Sequence, residues 1–136
     1  MKTVNLHQHT ILIVNGNDHD RIALSDSLND AGFGTVEAKN PKLAVIYFRQ
    51  IQPDLVLMDL DMPDVQGGLK LCGVLTAAAR TSNTPIIVLS KHNDMELAAT
   101  AFDAGASDFV LHPINNLILI QRCRYQIRSS QNLMSL

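Results

Sequence analysis

The chain has 136 residues, 46% of them hydrophobic, 18% charged and 4% aromatic, and a formal net charge of −2. That length suits one domain able to bury a single core, and that composition argues against disordered and fibrous classes. Without a basic surplus nucleic-acid binding is not expected, and without a bilayer-length apolar run or a signal-peptide core the expected location is cytoplasmic, away from membranes.

The first apolar run, "TILIV" (Thr10–Val14), is unbroken, the pattern of a strand covered on both faces, and it stops at Asn15-Gly16. Residues 18–31 place Leu24, Leu28 and Ala31 at helical spacing, with Asn17 or Asp18 as the N-cap and Gly32 just past the end. "TVEA" (35–38) is mixed enough to lie near a sheet edge, and Asn40-Pro41 opens a second helix through Gln50. "DLVLM" after Pro53 is again continuously apolar. A loop follows from Asp59 to Gly68, marked by Pro63 and Gly67-Gly68, before a helix with Leu71, Leu75 and Ala78 on one face. "PIIVLS" (85–90) reads as a strand. A helix from about Asp94 to Ala104 carries Leu97, Ala101 and Gly105 in phase, "DFVLH" (108–112) is the last strand, and Asn115 or Asn116 caps a final helix. Cys72 and Cys123 both fall in helical patterns and read as packing residues rather than a bridge.

Strands alternating with helices predict a doubly wound, parallel α/β sheet. Ligands of such sheets bind outside the carboxyl ends of the strands, so the residues to inspect are Asn15-Gly16, Asp59, Ser90 and His112.

Those positions, with "DLVLMDLDMPDVQGG" and "GASDFVLHP", make the chain resemble the receiver domain of two-component response regulators, over roughly residues 10–128. The resemblance implies a flavodoxin-like sheet of five strands in the order 2-1-3-4-5 with five helices, a receiver over residues 7–128, and a helical extension over 129–136 that could link to an output domain. It implies that Asp59 is the phospho-acceptor position, Ser90 and Phe109 the switch positions, and His112 the position of a lysine that pairs with phosphoryl oxygens. The two acids that would help hold Mg²⁺ are replaced by Asn15 and Gly16, so the metal site is degenerate at Asn15, Gly16, Asp59 and Asp61, the last contributing its backbone carbonyl.

Mg²⁺ takes oxygen ligands and binds best where carboxylates offset its charge. Gly16 offers no side chain, and Asn15 only a neutral amide oxygen. Losing one charge about 4 Å from another forfeits on the order of 4 kcal/mol of attraction at an effective dielectric near 20, before desolvation is counted. Phosphoryl transfer depends on positioning and charge neutralisation, so the expectation is no cofactor or a weakly bound Mg²⁺. Histidine is mostly neutral near neutral pH, so His112 is an incomplete stand-in for lysine. Asp18 and Asp20 fit the start of the first helix better than they fit metal ligation, and His7, His9, His19 and His92 share no ligand spacing and read as surface residues.

Along the final helix, Ile120, Cys123, Ile127, Ser130 and Met134 form an imperfect coiled-coil seam. Arg122, Arg124 and Arg128 on this helix complement Asp94, Glu96, Asp103 and Asp108 of the preceding helix and strand, which suits a self-complementary homodimer. "RCRYQIRSSQNL" resembles the connector to cyclic-di-GMP synthesising or degrading domains in some bacterial regulators. The expected function is that of an atypical, non-enzymatic receiver: a signalling interaction module for a histidine kinase or another signalling protein, with phosphorylation at Asp59 lost or weakened. The alternative is a slow, Mg²⁺-dependent phosphoreceiver at Asp59. A flavodoxin-like binder of small molecules is a third reading, which the absence of a Gly-rich phosphate loop after the first strand counts against.

Overall fold

Strands β1 (Thr10–Val14), β2 (Gly34–Ala38), β3 (Leu55–Asp59), β4 (Ile86–Ser90) and β5 (Asp108–Leu111) alternate with helices α1 (Asp18–Asp30), α2 (Pro41–Ile51), α3 (Val65–Ala78), α4 (Met95–Asp103) and α5 (Asn116–Ser135) in the computed structural model, which describes residues 8–135. All strand pairs are parallel and their order is β2-β1-β3-β4-β5, the predicted one.

The alternation of side chains along the central strands divides the core. Leu12, Val14, Val56, Met58, Ile86 and Val88 face α2, α3 and α4. Ile11, Ile13, Leu55, Leu57, Ile87 and Leu89 face α1 and α5. Strands β1, β3 and β4 are thus covered on both sides and read as continuous apolar runs, whereas edge strands β2 and β5 are only partly buried and have mixed sequences.

Asn or Asp side chains start the helices. Asn17 Oδ1 accepts from the Asp20 N–H, Asn40 from Leu43, Asp64 from Gly67, Asp94 from Glu96, and Asn115 from Ile118. Each satisfies a backbone donor that the first helical turn leaves open. Asn17 and Asn115 are therefore the caps, and α4 begins one residue after Asp94. A Cβ on Gly68 would collide with the Leu60 carbonyl, so glycine lets α3 press directly on the loop that leaves β3.

Two packing expectations need correction. Ala78 is exposed and Ala79, the C-cap of α3, is buried, because the helix ends there and its cap turns inward. On α5, Cys123 and Ile127 pack with Leu119 into the core beside β1, β3 and β4, so the supposed coiled-coil seam is the inner face of α5. Ile120 is partly buried against the same cluster, while His7 and the side chain of Met134 lie outside the described residues. Both cysteines are buried and free. No helix among the described residues is long and apolar enough to cross a membrane.

Candidate functional site

The carboxyl ends of the central strands converge on Asp59. As the last residue of β3 it pairs in register with Leu89 of β4, and the Leu60 N–H donates to the Leu89 carbonyl at 2.9 Å. The His112 N–H donates to the Ser90 carbonyl at 2.9 Å, which brings the end of β5 to the same edge.

Asp59 is 9% exposed, and its Oδ1 lies 4.0 Å from His112 Nε2. Both atoms are buried without a hydrogen-bond partner among the described residues. Burial pushes the Asp59 carboxyl above the usual carboxylate range and nearby Asp61 adds to this, against the pull of His112, Lys91 and the Asp61 backbone N–H. Asp61 has its own partner, because His92 Nε2 donates to its Oδ1 at 3.3 Å. The Ser90 hydroxyl accepts the His92 N–H at 2.9 Å and so shapes the turn after β4. Sequence reading singled out Asp59, Asp61, Ser90 and His112 and took His92 for a surface residue, which it is, without its contact to Asp61, while Lys91 was missed.

On the β1 side Asn15 is 4% exposed, and its Oδ1 accepts the Asn17 N–H at 2.8 Å. The Asn15 carbonyl accepts from Arg21, whose guanidinium also binds Glu37 at 3.0 Å and Asp18 at 2.8 Å. Arg21, likewise missed, ties the loop after β1 to α1 and β2, and it engages Asp18 as an ion-pair partner. A Cβ at Gly16 would meet only the Lys39 carbonyl, at an ordinary 3.7 Å, so the space for a side chain exists there.

This donor set does not fit Mg²⁺ well. Gly16 lacks a ligand, and Asn15 offers only a neutral amide oxygen that also accepts the Asn17 N–H, so the charge that would offset the cation is missing on the β1 side. Among the described residues no group of three or more His, Cys, Asp or Glu side chains is arranged around a common metal position.

The other singled-out residues lie away from this cluster. Phe109 is partly buried, with its ring 6.5 Å from that of Phe102. Asp94 caps α4, Glu96 is exposed in its first turn, and Asp108 pairs with Arg122 of the same chain at 2.9 Å. Arg124 faces the other way, donating to the Ala31 carbonyl and lying 5.9 Å over the Phe33 ring, and Arg128 lines the same depression. Of the three arginines, Arg122 alone is therefore placed beside Asp108 of β5.

A family model of the response regulator receiver domain matches residues 11–124. The chain belongs to the response regulator receiver family. This receiver is 34% identical over 121 residues to the regulatory protein AtoC of Escherichia coli (strain K12), covering 88% of this chain and 26% of that protein. It is 30% identical over 122 residues to the DNA-binding response regulator MtrA of Mycolicibacterium smegmatis, covering 90% of this chain and 52% of that one. The receiver thus spans about a quarter to a half of these relatives. A CheY-like receiver domain protein from Methanospirillum hungatei JF-1 shares the fold with a TM-score of 0.83 at 18% identity, over 92% of this chain and 98% of that one. Receiver domains are signalling modules, and this one presents Asp59 at the carboxyl edge of its sheet beside His112, Lys91 and Asp61.

Proposed function

We propose that this receiver is an atypical signalling interaction module in which phosphorylation at Asp59 is lost or weakened. The observation that carries this reading is that Asn15 offers only a neutral amide oxygen, which accepts the Asn17 N–H, beside a Gly16 that has no side-chain ligand. Without that acidic pair the charge that builds on a transferring phosphoryl group has little to offset it, and His112 at 4.0 Å supplies a weaker cation than lysine. The module is a cytoplasmic receiver over residues 7–128 with a helical continuation, and it acts by binding rather than as an enzyme. Its partners in this reading are a histidine kinase or another signalling protein. The face formed by α4, β5 and α5, with exposed Phe102, Leu111, Leu117, Ile118 and Tyr125, supports a second copy as a further partner.

The test is intact-mass measurement after incubation with Mg²⁺ and acetyl phosphate, beside an Asp59→Asn control. The expected result is no stoichiometric adduct on the native chain, and an Asp59-dependent adduct once Asn15→Asp, Gly16→Asp and His112→Lys are combined. Stoichiometric, Asp59-dependent phosphorylation of the native chain would overturn the reading. It would establish the slower Mg²⁺-dependent receiver instead, which draws its support from the open acceptor on Asp59 Oδ1.

A further inference from the structure

Asn15-Gly16 is a reactive pair as well as a poor source of metal ligands. A backbone nitrogen that follows an asparagine and has lost its proton attacks the side-chain carbonyl carbon, expels ammonia and closes a succinimide. Glycine favours the attack, because it sets no Cβ against the forming ring. The fold adds to this chemistry. Asn15 Oδ1 accepts the Asn17 N–H at 2.8 Å, and the turn this bond closes runs through both Asn15 Cγ and the Gly16 nitrogen, so the reacting atoms are held together. The same N–H meets the negative charge that grows on Oδ1 during the attack. The carbonyl of the Asn15-Gly16 peptide accepts from Arg21 Nη1 at 3.0 Å, and Asp18 and Glu37 hold that guanidinium in place. A fixed cation therefore lies on the oxygen that shares the charge of a deprotonated Gly16 nitrogen. The Gly16 N–H itself donates to no group among the described residues, and Gly16 is exposed, so its proton is open to water. A Cβ there would meet only the Lys39 carbonyl, at 3.7 Å, which leaves the backbone room to turn as the ring closes.

We propose that Asn15 is a self-modification site, deamidated by the folded chain with Arg21 and the Asn17 N–H as positioning groups. The Gly16 nitrogen bonds to Asn15 Cγ as the Cγ–Nδ2 bond breaks, and ammonia leaves with the proton that Gly16 gave up. Water then opens the succinimide at one of its two carbonyls, leaving aspartate or isoaspartate at position 15. Asn15 is only 4% exposed, but ring closure is internal to the chain and needs no outside partner, and water reaches the ring from the exposed Gly16 side. Val14 pairs with Met58, so continuing the β1–β3 register by one residue sets position 15 beside Asp59. The aspartate product thus supplies, from within the chain, a carboxylate on the side of the site that lacks one. This consequence rests on the reading of the site as short of negative charge, whereas the modification itself does not.

The test is peptide mapping by mass spectrometry of the full chain stored at neutral pH, natively and in urea, with released ammonia measured beside it. Asn83, exposed and followed by Thr84, is the internal comparison. Aspartate and isoaspartate are expected to accumulate at position 15 faster than at Asn83, and faster in the folded chain than in urea. Arg21→Gln is expected to slow the native reaction by about tenfold, the scale of one charge-assisted hydrogen bond. Arg21→Lys, which keeps a cation, slows it less. If Arg21→Gln loses the fold, the comparison of native chain with urea decides. A native rate at position 15 no greater than that in urea, or a rate that rises in a folded Arg21→Gln, overturns the proposal, because the fold then protects Asn15 instead of activating it. Mg²⁺ titration read by the Leu60 amide shift on fresh and converted chain tests the consequence. Tighter binding by the converted chain is expected, and equal affinity overturns the gain at the metal site while the mapping still decides on the modification. Tight binding by the fresh chain would overturn the charge-poor reading instead.

Discussion

Asp59 carries a cost that the rest of the site does not remove. Burial holds its carboxyl above the usual range, so the folded chain keeps a proton over a window in which the unfolded chain has already lost it. The native state binds more protons within that window, and stability therefore falls as pH rises through the folded pKa. Below the ordinary carboxylate range, about pH 4, both states are protonated and the difference vanishes. Asp59→Asn is accordingly expected to raise the Tm at neutral pH in chelator-treated buffer, with the gain shrinking as the pH falls toward that range. Thermal unfolding at a series of pH values checks this, and equal Tm values at neutral pH would mean that His112 and Lys91 offset the burial fully.

Among the elements, the helices depend on their first turns. Removing the Asn17 cap by Asn17→Ala is expected to destabilise the fold by about 1 kcal/mol, measured by denaturant unfolding. Gly68→Ala acts differently, since its new methyl group meets the Leu60 carbonyl and must separate α3 from the loop after β3. A loss of about 3 kcal/mol is expected, the upper part of the range for an overpacked contact, and a smaller loss would show that the loop yields. These elements were legible in sequence because unbroken apolar runs and 3.6-residue spacings record burial, and because Asn and Asp mark helix starts. The α5 stripe was misread as a seam, since Cys123 and Ile127 at helical spacing look alike whether they face a sheet or another chain. The Ser90, His92 and Asp61 arrangement was not legible at all. It depends on how a turn aims a side chain across to a neighbouring strand, which leaves no periodic trace.

The whole molecule presents two unlike sides along α5. One is basic and turned toward α1 through Arg124 over Phe33. The other continues into α4 and β5, where Arg122 is already paired with Asp108 and the exposed surface is largely apolar. A two-fold contact there would be held mainly by Leu117, Ile118 and Tyr125 rather than by the arginines. Ile118→Asp is therefore expected to leave the fold intact and shift sedimentation to the monomer, whereas Arg128→Ala leaves self-association unchanged. A native chain that sediments as a monomer at all concentrations would remove the homodimer from the proposed partners.

Each of the two core layers holds one buried thiol, Cys72 in the layer of α2, α3 and α4 and Cys123 in that of α1 and α5. Burial raises both thiols in pKa, Cys123 up to about 12, so neither is reactive in the closed fold. Labelling by an alkylating reagent then waits for the covering helices to lift. The unaltered chain thus contains two independent clocks, one for each side of the sheet, and their rates would show which side loosens first when a partner binds.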